Sequence, residues 1–102
     1  MSLDQHFVET SEAILAQLGF KDLKSFVKNQ ALLLILAKLD KYQAEDKLFE
    51  TKYKMGFDEF QKSIDNLMNQ EVFEHDDDYL DWRYARENLE RLKKQKQAIE
   101  HA

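Results

Sequence analysis

From Met1 to Ala102 the chain contains no proline and two glycines, Gly19 and Gly56, so almost nothing interrupts a helix. A sheet protein needs more turn residues than this. The fold class that follows is all-α: one domain of about four helices spanning residues 1–102, at a size where a core is thin and oligomerisation helps. Hydrophobic residues at 43% and charged residues at 34% exclude wholesale disorder.

The breakers and stripes divide the chain. Ser2 and Gln5 have capping-box spacing, and Leu3, Phe7, Val8, Ile14, Leu15 and Leu18 form a stripe closed by Gly19, which predicts a first helix over 3–18. A second helical pattern runs over 22–54 without a breaker until Gly56. In it Leu32, Ile35, Leu39, Tyr42, Asp46, Phe49 and Tyr53 alternate three and four apart, the spacing of a coiled-coil seam. A helix of this length extends about 50 Å. Such a rod needs a long antiparallel partner or a second copy of the chain, and the apolar crowding of Ala31–Leu36 predicts burial on two faces. The expectation is a homodimer whose central contact is Leu32, Ile35, Leu36, Leu39, Tyr42 and Phe49.

Asp58 serves as N-cap of a third helix over 58–69 carrying Phe60, Ile64, Leu67 and Met68. Residues 69–75 read as a connector with Val72 and Phe73 turned inward. A fourth helix covers 77–100, with Trp82, Ala85, Leu89, Leu92 and Ile99 on one side, a side that weakens beyond Leu92 so that the tail is expected to fray or to extend into solvent.

With no cysteine, disulfides, thiolate metal sites and cysteine nucleophiles are excluded, which fits a reducing cytoplasm. The longest apolar run, Ala31–Ala37, is far below the roughly 20 residues that cross a bilayer, and MSLDQHF has no signal-peptide pattern; a soluble cytoplasmic protein is expected. His6, His75 and His101 belong to no metal-binding spacing, and no catalytic triad, phosphate loop or zinc motif is visible, so no cofactor and no enzymatic activity are expected. The net charge of −5 argues against nucleic acid as the main partner. The basic tail Arg91, Lys93, Lys94 and Lys96 suits a helix C-terminus and the i,i+4 pairs Glu87–Arg91 and Glu90–Lys94.

The segment EVFEHDDDYLDWRYA, 71–85, combines an aspartate run with aromatics. Asp76, Asp77 and Asp78 are first a helix start, where carboxylates meet exposed amides, since HDDDYLDW lacks the glycine and distal glutamate of a calcium loop. Conditionally they form a docking surface for a basic partner, with Tyr79, Trp82 or Phe73 as anchors and with Phe57 and Phe60 beside a groove at the Gly56 break.

KYKMGFDEF at 52–60, DDYLDWRYA at 77–85 and LGFKDLKSFVKNQALLLILAKLDKY at 18–42 together resemble a family of small prokaryotic proteins with a KYxMxFxxF segment and an acidic DDYxxWxxA segment. The resemblance covers about two thirds of the chain, and Tyr53, Met55, Phe57, Phe60, Asp77, Asp78, Tyr79 and Trp82 are its matching positions. Some members look like antitoxin components of type II toxin–antitoxin operons, encoded beside a small ribonuclease-like toxin. That implies a non-enzymatic protein that neutralises a toxin with a basic cleft; the alternative is a self-associating helical scaffold. Family members often have glycine directly after the tyrosine, where this chain has Lys54, which predicts a left-handed residue displaced by two positions to Gly56.

Overall fold

A computed structural model describes residues 3–66 and 73–102, with the backbone alone for 65–66 and 73–75. The described residues form four helices: α1 (Gln5–Gln17), α2 (Leu23–Tyr53), α3 (Phe57–Asn66) and α4 (Phe73–Glu100). The described residues include no strand, so the all-α expectation holds. The molecule is a rod of 64 × 27 × 22 Å with a radius of gyration of 20.7 Å, against about 13 Å for a compact chain of this length.

Asp4, not Ser2, caps α1, its carboxylate accepting the His6 amide at 3.0 Å; Ser2 lies outside the described residues. Gly19 ends the helix as anticipated. Its φ of +94° suits a residue without Cβ, and the Gly19 amide donates to Ala16 at 3.3 Å while the Phe20 amide donates to Leu15 at 2.9 Å, forming a Schellman motif. Asp22 then starts α2 by accepting the Ser25 amide at 2.8 Å, and Glu12 of α1 accepts the Leu23 amide at 3.0 Å. Two carboxylates thus satisfy donors at the positive end of the longest helix. Phe20 and Phe26 meet edge-on at 5.2 Å across this turn.

α2 is continuous for 31 residues, and α4, at 28 residues, is its antiparallel partner within the chain. Lys52 meets Asp78 at one end, and Lys28 reaches the main-chain oxygens of Glu100 and Ala102 at the other. The tail is therefore helical and held to α2, with no fraying after Leu92. Between these ends Leu39 and Tyr42 are buried against Ala85, Leu89 and Leu92, with Ile35 packed alongside. The heptad seam is thus filled in cis, because α4 runs alongside α2 with Trp82, Ala85, Leu89 and Leu92 packed against it. As a dimer contact the seam is corrected: Leu39 and Tyr42 are core, Leu32, Ile35 and Phe49 are half-buried, and Leu36, 46% exposed, lies outside it.

Two boundaries differ from expectation for local reasons. The left-handed residue at the end of α2 is Lys54 itself, at φ 57° and ψ 35°, with no displacement to Gly56. Gly56 instead takes the N-cap position of α3, its carbonyl accepting the Phe60 amide at 3.1 Å, and Asp58 lies in the first turn. The predicted end of α3, 67–69, the connector residues 69–72 and the side chain of Phe73 lie outside the described residues, while 73–75 are already helical.

Candidate functional site

The N-terminal half of α4 meets the C-terminal half of α2 and the first turn of α3 around one side chain, Trp82. It is fully buried, with ring centroids 5.5 Å from Phe49, 5.5 Å from Phe57, 5.1 Å from Phe60 and 6.1 Å from Tyr53. A buried indole N–H requires an acceptor. Asp46, the one acidic member of the seam, supplies it at 2.7 Å, and its second oxygen faces Arg86 at 3.4 Å. Asp46 is a residue whose seam position was legible in the sequence and whose partner was not.

This arrangement separates the predicted docking residues. Trp82 and Phe60, 0% and 3% exposed, hold helices together inside the molecule and cannot reach a partner. Phe57 and Tyr79 are half-buried and stack on each other at 5.8 Å. Asp78 is turned inward, accepting from Lys52 at 2.7 Å and from the Tyr53 hydroxyl, so it ties α4 to the end of α2. Only Asp76 and Asp77 of the run remain exposed. As a helix start the run is also displaced: with α4 beginning at Phe73 the three aspartates fall at its fourth to sixth residues, where the terminal dipole has largely faded.

The surface that results is different from the one anticipated. On the outer side of α4, away from the buried Trp82, Ala85, Leu89 and Leu92, Leu80 and Tyr84 are each 59% exposed and stand among the exposed carboxylates Asp76, Asp77 and Asp81. Spacing of four from Leu80 to Tyr84 places them one turn apart on that side. Tyr84 also borders an open groove of about 540 Å³ between α2 and α4, floored by Tyr42 and Phe49 and edged by Leu48, Asp81 and Lys52. The Tyr42 and Tyr84 rings meet edge-on at 6.0 Å, and the hydrogen bond with Tyr84, with burial behind it, pushes the Tyr42 hydroxyl above its ordinary pKa of 10.0. The Tyr42 phenol therefore stays neutral at physiological pH. Asn88, buried beneath, donates to the Tyr84 carbonyl at 2.7 Å and accepts from Arg91 at 2.6 Å, fixing the backbone that carries Tyr84. Leu80, Tyr84 and Asn88 were not singled out from the sequence, because their significance depends on which side of α4 faces α2.

Among the described residues no group of three histidine, aspartate or glutamate side chains is placed to hold a metal ion. His6 and His101 are exposed at opposite ends of the chain, and the side chain of His75 lies outside the described residues. None of the described helices is long and apolar enough to cross a membrane. The arrangement defines a class: a long antiparallel helix pair, locked at one end by an aromatic cluster around Trp82 and presenting an acidic and apolar outer side. Comparison with known protein families, with curated proteins and with solved structures finds no match to this chain.

Proposed function

We propose that the chain is a non-enzymatic, cytoplasmic protein-binding module that works as a homodimer and neutralises a basic partner protein, in the manner of the antitoxin components its sequence resembles. The observation that carries this reading is the pair Leu80 and Tyr84, each 59% exposed and ringed by Asp76, Asp77 and Asp81 on a helix whose other side is locked into the core. Large apolar side chains among like charges on a rigid element suit a partner that brings Arg or Lys to the rim and a pocket for the aromatic ring. Tyr84 takes the anchoring role that Trp82 cannot fill. Carboxylates at the rim steer a basic cleft during encounter more than they strengthen the final complex, so their effect lies chiefly in the association rate.

The test uses the product of the adjacent reading frame. If it is a toxin, its expression arrests growth and this chain relieves the arrest. Reversing charge at Asp76, Asp77 and Asp81 then slows association and weakens binding, with the loss largest at low salt. Equal co-purification with the charge-reversed chain overturns this docking surface. The alternative is a self-associating helical scaffold, favoured by the elongated 64 Å form. An adjacent product that is harmless and does not bind selects it.

A further inference from the structure

The molecule exposes 8102 Å², whereas a compact monomer of 12.2 kDa exposes about 6,100 Å². Doubled for two copies, the surplus is roughly 4,000 Å², within the range of about 2,000–5,000 Å² that obligate homodimers bury in total. Part of it is apolar and lies on α1 and the outer side of α2.

α1 has two apolar faces. Val8 and Leu15 turn toward the rest of the chain, but Phe7, Ile14 and Leu18 are 53%, 56% and 68% exposed. Their spacing, with Ser11 completing the four–three–four pattern, is that of a second seam. α2 repeats the situation. Besides the seam filled by α4 it carries Val27, Gln30, Leu34 and Ala37 at three–four–three spacing, all exposed, with Leu33 beside them. Neither stripe contains a charged residue, in a chain with 34% charged residues and a net charge of −5.

That absence of charge identifies the occupant. A basic partner would be met by carboxylates, as on the outer side of α4. A second copy of this chain brings another −5, and the contact least opposed by that repulsion is a neutral, apolar one. A 13-residue helix that buries one residue fully, Leu15, is also too short to persist on intrinsic propensity and needs its second face covered. We therefore propose that the homodimer of the preceding section, on which this inference rests, forms through Phe7, Ile14 and Leu18 of α1 and Val27, Leu33 and Leu34 of α2, in a closed twofold arrangement where each copy covers the other. The α2–α4 seam takes no part in it.

Sedimentation of the full chain between about 1 and 100 μM tests the assignment. The wild type sediments as a dimer. Ile14→Gln combined with Leu34→Gln raises the dimer dissociation constant at least about a hundredfold with helicity unchanged, because each substitution acts twice across the symmetric contact. The control Leu80→Gln on α4 leaves it unaltered. A double variant that dimerises like the wild type overturns this face while leaving self-association standing; a wild type that is monomeric throughout the range overturns the dimer itself. Should the double variant lose helicity, amide exchange on the wild type still discriminates: α1 protection that grows with protein concentration supports the contact, and protection independent of concentration refutes it. Partner binding is read separately, since charge reversal at Asp76 and Asp77 leaves the dimer intact.

Discussion

Lys54 occupies a backbone conformation that its side chain makes expensive. At φ 57° and ψ 35° its Cβ crowds the following carbonyl, at a cost of about 1–2 kcal/mol for an L-residue. The two-residue displacement to Gly56 does not occur, because Tyr53 is tied to Asp78 and stacked toward Trp82, and the helix must stop directly after it. Lys54→Gly is predicted to stabilise the fold by about 0.5–1 kcal/mol, the relief of strain being partly offset by the greater freedom of glycine in the unfolded chain. Urea unfolding with an unchanged m-value checks it; a loss of stability would show that the lysine side chain outweighs the strain. Asp46 illustrates the opposite case. An aspartate on a hydrophobic seam looks like a flaw until the Trp82 N–H is found 2.7 Å away, and a single matched polar pair of this kind holds two long helices in one register.

Among the elements, the start of α2 carries a pH dependence. Hydrogen bonds from the Ser25 backbone and side chain, with Lys21 and Lys24 nearby, hold the Asp22 carboxyl below its usual 3.8. A carboxyl depressed by folding contributes stability that is complete above its unfolded pKa and disappears as pH falls through the folded one. Between about pH 5 and pH 3 the wild type is therefore predicted to lose more stability than Asp22→Asn, which keeps a competent cap without the titration. Chemical unfolding of both proteins across that window checks the sign, and parallel curves would remove Asp22 as a contributor. The element boundaries also show where local signals prevail. Gly19, whose amide bonds Ala16 three positions away, ends α1 as expected, while α3 starts on Gly56 rather than Asp58.

In the whole molecule the division between covered and uncovered seams governs stability. Leu89 is buried against the α2 seam and Leu36 stands outside it, although both are leucines on apolar stripes. Leu89→Ala is predicted to cost about 2–4 kcal/mol and Leu36→Ala no more than about 0.5 kcal/mol, measured by chemical denaturation of the two variants. Comparable losses would mean that Leu36, exposed in the single chain, is covered by a second copy.

Helix content, the unbroken length of α2 and the seam from Leu32 to Tyr53 were legible in the residues themselves, since periodicity and the lack of breakers are local properties. Which surface fills that seam was not. The heptad pattern specifies that a helix must pack there and is indifferent to whether the helix comes from the same chain or a twin. The folded chain brings up its own α4, and with that one placement Trp82 and Phe60 pass from candidate anchors to core, Asp78 turns inward, and Leu80 and Tyr84 are left facing solvent. Side-chain chemistry is written residue by residue, but exposure is a property of pairs of helices, and it exists only once they have met.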